Sequence, residues 1–355
     1  MNKSGILNKE YLLNVLERLC NTPSPTGYTE EVMKLVTKEL HEMGIRVERA
    51  RKGSLMAFVD GKKKGYKRVI AAHTDTLGGM VKAIKKDGKL MITSLGSYMI
   101  NSIECENVVI HSIKKKYSGT VYSTKPSLHV HGLEARTLER NFENIEIVID
   151  EKVKNAKEVR ELGIEVGDFV SFESRFRVTE SGFVKSRHLD DKGGVSIILT
   201  VLKKISEEMK LAGGPVLEEG LEVLITAHEE MGFGASSGLP EEAEEMLCVD
   251  MGTPGPNQES DEYSVSICAK DSAMPYDYDM RNKLIKISKE NDIKFKVDTY
   301  NFYGSDGKAS LVAGYDLRVG LIGPGIFASH SYERTHTDSL MSTARLVYEY
   351  LKTTV

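Results

Sequence analysis

The sequence has few cysteines, and their spacing pairs none of them. Its 355 residues include Cys20, Cys105, Cys248 and Cys268, which are widely scattered and form no CxxC motif. This pattern argues against a disulfide framework and against a structural zinc site built from thiolates. A reducing compartment fits this cysteine usage, and we expect a cytoplasmic protein.

Long apolar runs are also absent. No segment approaches the ~20 apolar residues that a membrane span needs. The first residues, MNKSGILNKEYLLNV, lack the uninterrupted apolar stretch of a secretory signal. We therefore expect a soluble, intracellular protein with no membrane partner.

The net charge is small for the length of the chain. Lys and Arg number 48 and Asp and Glu 52, which gives a formal net charge of -4. The short lysine clusters KKKGYK and KKKY are typical of solvated loops and strand edges. No basic surface for nucleic acid is indicated, and we expect no nucleic-acid partner.

The pattern of apolar residues predicts two domains. Helical spacing and buried strand-like runs alternate in residues 1–76 and again in residues 188–355, which is typical of an α/β domain. Residues 77–187 instead contain short alternating runs separated by turn signals such as Asp87-Gly88, with one helix near Lys154 to Leu162. We predict a small, mostly β domain inserted into an α/β domain.

Side chains that bind metals recur near the ends of the predicted strands. The pair Glu229-Glu230 ends the run LEVLITAHEE, and Asp250 ends MLCVD. Because open α/β sheets place their ligands beyond the carboxyl ends of strands, we expect these side chains to meet in one cleft. The full candidate set is His73, Asp190, Glu229, Glu230, Asp250 and His336.

This set has the chemistry of a site for two divalent ions. Imidazole nitrogen and carboxylate oxygen suit zinc or cobalt, manganese is also compatible, and a carboxylate can bridge two ions. A carboxylate that binds a metal keeps little basicity, so one member of the Glu229-Glu230 pair should stay off the metal as a base. Five ligands and one spare glutamate indicate a hydrolase.

Five motifs in this order resemble a known family. The segments AAHTD, HLDDKGG, HEEMGFGA, VDMG and ERTHTDSL are similar to those of the tetrahedral (TET) dinuclear metallo-aminopeptidases, some of which are catalogued as endoglucanases. The likeness runs nearly end to end and includes VVIHSIKKKYSGTVYSTKPSLHVH in the predicted insertion. The resemblance implies an aminopeptidase that acts on short peptides with two metal ions per subunit.

The resemblance also implies a role for each residue. His73 and Asp250 would bind one ion, Glu230 and His336 the other, and Asp190 would bridge them. Glu229 would be the general base and acid, and Asp75 would orient the imidazole of His73. The implied fold is an α/β/α sandwich peptidase core with an inserted, β-barrel-like dimerisation domain, and the implied assembly is a dimer that builds a dodecamer.

The sequence departs from the family pattern in several places. Thr76 follows HTD where a glutamate is usual, and His228 stands where glutamine is common. The segment SHSYERTHTD offers two histidines, so His330 is an alternative ligand to His336. His336 matches the motif better and is the predicted ligand.

Four further polar residues lie beside the predicted ligands. His188 and His228 either support the site or fill space next to it. Asp306, in the turn YGSDG, either shapes the substrate pocket or caps the following helix, and we favour capping. Asp191 has no role that the sequence establishes.

Three other functions compete with an aminopeptidase. An N-acyl amino-acid deacylase or a dipeptidase would use the same metal pair, and blocked and free substrates distinguish them. A glycan hydrolase would use two carboxylates without metal, so the histidines have no place in it, and chelation tests it. A non-catalytic assembly or binding scaffold could keep the fold, but every key residue is present.

Overall fold

A computed structural model of the protein describes residues 7–355. Residues 1–6, which belong to the amino terminus predicted to be non-secretory, lie outside the described residues. Between residues 7 and 355, no helix combines the length and the apolar character needed to cross a membrane.

An eight-stranded sheet forms the centre of the larger part of the chain. The sheet contains, from one edge to the other, β1 (Arg46–Arg49), β2 (Leu55–Val59), β12 (Leu221–Thr226), β3 (Arg68–His73), β13 (Glu245–Val249), β16 (Arg318–Pro324), β14 (Val265–Lys270) and β15 (Phe295–Thr299). β3 pairs in parallel with β12 and β13, and β13 pairs in parallel with β16. Four neighbouring strands therefore end at the same edge of the sheet.

β3 shows why these segments form central strands. All six of its residues, RVIAAH, are buried. Ile70 and Ala72 face one apolar core, whereas Val69 and Ala71 face another on the opposite side of the sheet. A strand that is covered on both faces needs apolar residues at nearly every position, which explains the continuous apolar run in the sequence.

Helices cover both faces of the sheet. They are α1 (Lys9–Cys20), α2 (Glu30–Glu42), α6 (Leu189–Ala212), α7 (Tyr278–Glu290), α8 (Asp306–Val312) and α9 (Thr337–Leu351). On one face, α6 packs against α1, α9 and β3. On the other, α8 packs against β13 and β16, and its Leu311 contacts the second core. This gives the predicted α/β/α layering.

The inserted region forms a closed, antiparallel barrel. Its strands follow one another around the barrel as β4 (Gly78–Ile84), β5 (Leu90–Leu95), β8 (Ile145–Ile149), β7 (Lys116–Ser123), β6 (Asn107–His111) and β9 (Phe169–Phe172). The connections contain α3 (Leu128–His131), α4 (Leu133–Thr137) and α5 (Ala156–Leu162). The barrel has its own apolar core, which includes Val81, Ile92 and Val121. The predicted fold class, an α/β core with a β-barrel-like insertion, is confirmed.

A third, small sheet joins the end of the insertion to the carboxy-terminal part. It consists of β10 (Arg177–Val178), β11 (Phe183–Ser186) and β17 (Glu333–His336). The barrel strands lie inside the range 77–187, but β11 pairs with β17 outside it. The division into residues 1–76 plus 188–355 and residues 77–187 stays a prediction.

Candidate metal centre

The candidate residues come together because four parallel strands end at one edge. β3 ends at His73, and a short 3-10 turn that follows β12 carries Glu229 and Glu230. Asp250 follows β13 directly, and the chain beyond β16 reaches His330. The parallel pairing of these strands places their carboxyl ends side by side, where open α/β sheets bind ligands.

Three of the predicted ligands form a compact group. His73, Asp190 and Glu230 each offer a ligand atom, and these atoms all lie within 4.8 Å of one another. His73 Nε2 is 3.2 Å from Asp190 Oδ1 and 3.6 Å from Glu229 Oε2. One imidazole nitrogen and several carboxylate oxygens form a donor set that suits zinc or cobalt.

His330 lies on the other side of the Asp190 carboxylate. Its Nε2 is 3.4 Å from Asp190 Oδ2 and 3.7 Å from Glu230 Oε2. The two oxygens of Asp190 therefore face two different histidines. A carboxylate in this position can contact two ions at once, one through each oxygen.

The structure does not bring His336 to this group. Its Nε2 lies 2.8 Å from the carbonyl oxygen of Ser181, and its Nδ1 accepts a hydrogen bond from the backbone N–H of Asp338 at 3.1 Å. The pairing of β17 with β11 sets His336 opposite Phe183, away from the sheet edge. The predicted assignment of His336 as a ligand does not fit this geometry, whereas that of His330 does.

Asp250 lines the same cavity as Asp190, Glu229, Glu230 and His330. Two oxygens of this group, Glu230 Oε1 and Asp250 Oδ1, are buried without a hydrogen-bond partner among residues 7–355. Buried carboxylate oxygens without a partner are rare, because their desolvation costs free energy that nothing returns. Their presence here fits a site whose remaining partners are cations.

The electrostatics of the group lead to the same conclusion. Burial, reinforced by the neighbouring carboxylates, raises the pKa of Glu229 and Asp250 well above their ordinary values. Burial also raises the pKa of Glu230 to about 7, although His330 opposes it. Burial works against ionisation of Asp190 too, but hydrogen bonds with His330 and His73 hold its pKa below the ordinary range. Divalent cations would offset this crowding of negative charge.

Asp75 supports the centre, though not by the predicted contact. The Nδ1 of His73 donates to the backbone carbonyl oxygen of Asp75 at 2.9 Å, while the nearest carboxylate oxygen of Asp75 is 3.6 Å away. That carboxylate instead accepts the backbone N–H of Glu229 at 3.0 Å and of Glu230 at 3.3 Å. The backbone of Asp75 therefore orients the imidazole of His73, and the side chain of Asp75 holds Glu229 and Glu230 in place.

Asp191 anchors the backbone around the ligands. Its Oδ2 accepts the N–H of His73 at 3.2 Å, and its Oδ1 accepts the N–H of Gly194 at 2.9 Å. A Cβ on Gly194 would lie 2.2 Å from the carbonyl oxygen of Val249 and 2.4 Å from Asp191 Oδ1. Glycine at this position therefore lets the start of α6 approach the end of β13.

The preference for Asp306 as a helix cap is wrong. Ser305 caps α8, and its side chain accepts the N–H of Gly307. The buried carboxylate of Asp306 instead accepts the hydroxyl of Thr226 at 2.6 Å and the N–H of Ala235 at 2.7 Å. Asp306 also lines the cavity at the cluster, which agrees with the alternative prediction that it shapes the substrate pocket.

The two further histidines lie beside the cluster. His188 is buried next to the start of α6, where its Nε2 lies 3.5 Å from the carbonyl oxygen of Phe172, and burial lowers its pKa well below the ordinary value. The Nδ1 of His228 is buried without a hydrogen-bond partner in the described part of the chain. Neither histidine lines the cavity that Asp250 and His330 line.

The cavity in front of the cluster has a volume of about 660 Å³. The carboxylates of the cluster line this cavity, and residues 300–309 and 251–258 contribute most of the remaining lining. Phe302, which is fully exposed, and Lys308 belong to this lining. The space is large enough for the terminal residue of a peptide.

Three residues at the centre were missed from the sequence. Ser329 Oγ donates to Asp190 Oδ2 at 2.9 Å. The carbonyl oxygen of Ser97, which belongs to the barrel region, lies 2.6 Å from His330 Nδ1. Glu333 accepts three backbone N–H groups from the segments around Asp190 and His330. Glu333 lies within the motif ERTHTDSL, but nothing in its residue type shows which way its side chain points.

Comparisons with known proteins show the family of the chain. The sequence profile of the M42 glutamyl aminopeptidase family matches residues 53–346. The putative aminopeptidase YhfE of Bacillus subtilis (strain 168) is 45% identical over 341 residues, which cover 96% of this chain and 97% of that protein.

Solved structures share the fold at low sequence identity. The aminopeptidase APDkam598 from the archaeon Desulfurococcus kamchatkensis superposes with a TM-score of 0.86 at 19% identity, over 98% of this chain and 96% of that one. PhTET1-12s, with a dodecamer in the asymmetric unit, superposes with a TM-score of 0.82 at 21% identity, over 96% and 98% of the two chains. The matched profile covers most of the chain, and the protein therefore belongs to the M42 glutamyl aminopeptidase family.

Proposed function

We propose that the protein is a metal-dependent aminopeptidase that hydrolyses the first peptide bond of short peptides at a pair of divalent ions. The observation that carries this proposal is the position of Asp190 between two histidines, 3.2 Å from His73 Nε2 and 3.4 Å from His330 Nε2. Membership of the M42 family and the aminopeptidase names of relatives support the reaction class.

The ligands divide into two groups around Asp190. His73 and Asp250 would hold one ion, and Glu230 and His330 would hold the other. The unpartnered oxygens of Glu230 and Asp250 support this division, because each group then contains one buried oxygen that needs a cation. Zinc and cobalt suit these nitrogen and oxygen donors, and manganese is compatible with them.

When bound, the two ions would polarise the scissile carbonyl and lower the pKa of a water molecule between them. Glu229 faces this space with its Oε2 3.6 Å from His73 Nε2, and it is not needed as a ligand. A carboxylate that binds no metal keeps the basicity to take a proton from water and return it to the leaving amine. The hydrogen bond between the backbone N–H of Glu229 and Asp75 holds the residue in place.

The charge of the cavity favours a substrate with a free amino terminus. Four acidic residues of the cluster and Asp306 line it. The two ions would offset the four cluster carboxylates, which leaves Asp306, and a peptide ammonium group brings positive charge to that carboxylate, whereas an acylated terminus brings none. The negative charge of Asp306 therefore favours an aminopeptidase over the N-acyl amino-acid deacylase that the same metals could serve.

Self-association of the barrel is part of the proposal. Leu128, Val130 and Leu133 on α3 and α4 have exposed fractions of 51%, 74% and 75%. An exposed apolar group of this kind is typical of a surface that contacts another protein. We expect a dimer that can build a dodecamer in the cytoplasm, and native mass spectrometry measures its size.

The test is digestion of a peptide panel followed by mass spectrometry. Peptides with free and with acetylated amino termini are incubated with the cobalt or zinc protein, with the chelated protein and with Glu229→Gln. Stepwise loss of residues from free termini alone, abolished by chelation and by the substitution, is the expected result. Cleavage of only the acetylated set would establish a deacylase instead, and no cleavage of either set would contradict the proposal.

A further inference from the structure

Glu333 connects two segments that carry proposed metal ligands. It is the first residue of β17, and its exposed fraction is 2%. Its Oε2 accepts the backbone N–H of Leu189 at 2.6 Å and of Asp190 at 3.2 Å. Its Oε1 accepts the backbone N–H of His330 at 3.1 Å. One carboxylate therefore binds three donors on two segments that are distant in sequence.

Neither segment has regular secondary structure to hold it at this point. Asp190 and Asp191 have non-helical backbone angles within the first turn of α6. Ala328 and His330 have φ angles of 59° and 64°, a region that residues other than glycine seldom adopt. The first N–H groups of a helix also lack partners within the helix. The Glu333 carboxylate supplies the partners that regular structure does not.

The other half of the centre has separate support. The backbone N–H of His73 is bound by Asp191, and the ring of His73 is bound by the carbonyl oxygen of Asp75. None of these hydrogen bonds involves Glu333. A change at Glu333 should therefore disturb the spacing of Asp190 and His330 more than the position of His73.

We propose that Glu333 is a positioning residue that sets the distance between Asp190 and His330 and thereby the affinity for the ion bound by Glu230 and His330. This inference rests on the proposed metal pair. Glu333 takes part in no chemical step and acts only through the backbone of the two segments that carry Asp190 and His330. Groups that fix metal ligands in this way typically change the metal affinity by about 10–100-fold.

The test is cobalt binding to the metal-free protein, measured by calorimetry and visible absorption so that two stepwise constants are resolved. Glu333→Gln replaces one acceptor oxygen with an amide that cannot accept an N–H. Glu262→Gln is the matched control, since the Glu262 carboxylate lies beside the same strand but accepts from Arg334, at 2.7 Å and 2.9 Å. Circular dichroism of each metal-free variant verifies the fold.

We expect one constant to weaken by about 10–100-fold in Glu333→Gln and the other, whose ion shares Asp190 but not His330, to weaken by a smaller factor, with both unchanged in the control. Unchanged constants, or an equal loss of both, would overturn the inference. If Glu333→Gln does not fold, Glu333→Asp replaces it, because the shorter carboxylate cannot reach both segments and should show the same selective loss. A wild-type protein that binds no pair of ions would instead refute the proposed function itself.

Discussion

The Nδ1 of His330 lies 2.6 Å from the backbone carbonyl oxygen of Ser97, in the loop after β5. The Nδ1 of His73 lies 2.9 Å from the carbonyl oxygen of Asp75 in the same manner. A carbonyl oxygen only accepts, so both rings carry a proton on Nδ1, and the Nε2 of each ring faces Asp190. One ring is thus fixed by the α/β core and the other by the barrel region.

His330 and His336 can be distinguished by substitution with glutamine. We expect His330→Gln to weaken binding of one ion by at least about 100-fold, because it removes a ligand. His336→Gln should change metal binding by less than about 3-fold, because both nitrogens of His336 contact backbone groups, those of Ser181 and Asp338. Metal content after dialysis against a dilute chelator measures both. Loss of metal from His336→Gln alone would restore the assignment made from the sequence.

Glu229→Gln should keep both ions and lose turnover. The glutamine has nearly the same shape, but it cannot take a proton from water, so we expect kcat to fall by about 10²–10⁴-fold. Steady-state kinetics and elemental analysis of the same sample separate the two effects. The exposed Glu241→Gln is the control for a surface charge change. Near-normal kcat in Glu229→Gln would assign the base to another residue.

Asp190→Asn should reduce the affinity for both ions together. The amide keeps one neutral oxygen and loses the charge that faces both histidines, so neither ion retains its shared ligand. We expect less than one ion per chain where the wild type binds two, as measured by elemental analysis. Asp338→Asn, whose side chain is 56% exposed, should leave the content unchanged. A variant that retained two ions would show that Asp190 does not bridge them.

The barrel should lose stability as the pH falls below 6.5. Burial, with a smaller effect of Lys116, lowers the pKa of His111 to about 4, and Glu31, which pairs with Lys116, opposes the shift. The unfolded chain, with a histidine pKa near ~6.5, then binds more protons than the folded chain between these values. The contribution of neutral His111 to the free energy of unfolding is therefore fully present above pH ~6.5, and it is lost as the pH falls towards 4.

Urea unfolding of metal-free protein at pH 5 and pH 7 measures this dependence. The free energy of unfolding of the wild type should be lower at pH 5 than at pH 7. We expect this difference to be smaller by about 1–2 kcal/mol in His111→Gln, after allowance for partial solvent screening. The exposed His129→Gln should behave as the wild type. An identical pH dependence in His111→Gln and wild type would contradict the role of His111.

The sequence predicted the fold well because the central strands are covered on both faces. That burial requires continuous apolar runs, and the runs before His73 and Asp250 are easy to recognise. The short alternating runs of residues 77–187 likewise predicted a β-rich insertion. Closure of the barrel through the pairing of β4 with β9 joins strands that are far apart in sequence, so local patterns did not reveal it.

The choice between His330 and His336 could not be made from the motif. Phe327 and Arg334 exchange backbone hydrogen bonds, so the chain reverses between them and His330 lies near the tip of the turn. The positive φ angles that make this reversal belong to Ala328 and His330, and no glycine marks them. Prediction of turns from Gly, Asn and Asp residues therefore does not detect this turn.

The pairing of Gly79 with Val170 that closes the barrel also returns the two ends of the insertion to the core. His73 precedes the barrel and Asp190 follows it, so the chain between these two residues contains the entire barrel. The conformational entropy lost on joining two positions grows with the length of the flexible chain between them. Once the barrel has folded, only the short segments on either side of it remain flexible. The barrel thus reduces the loop-closure entropy of the centre.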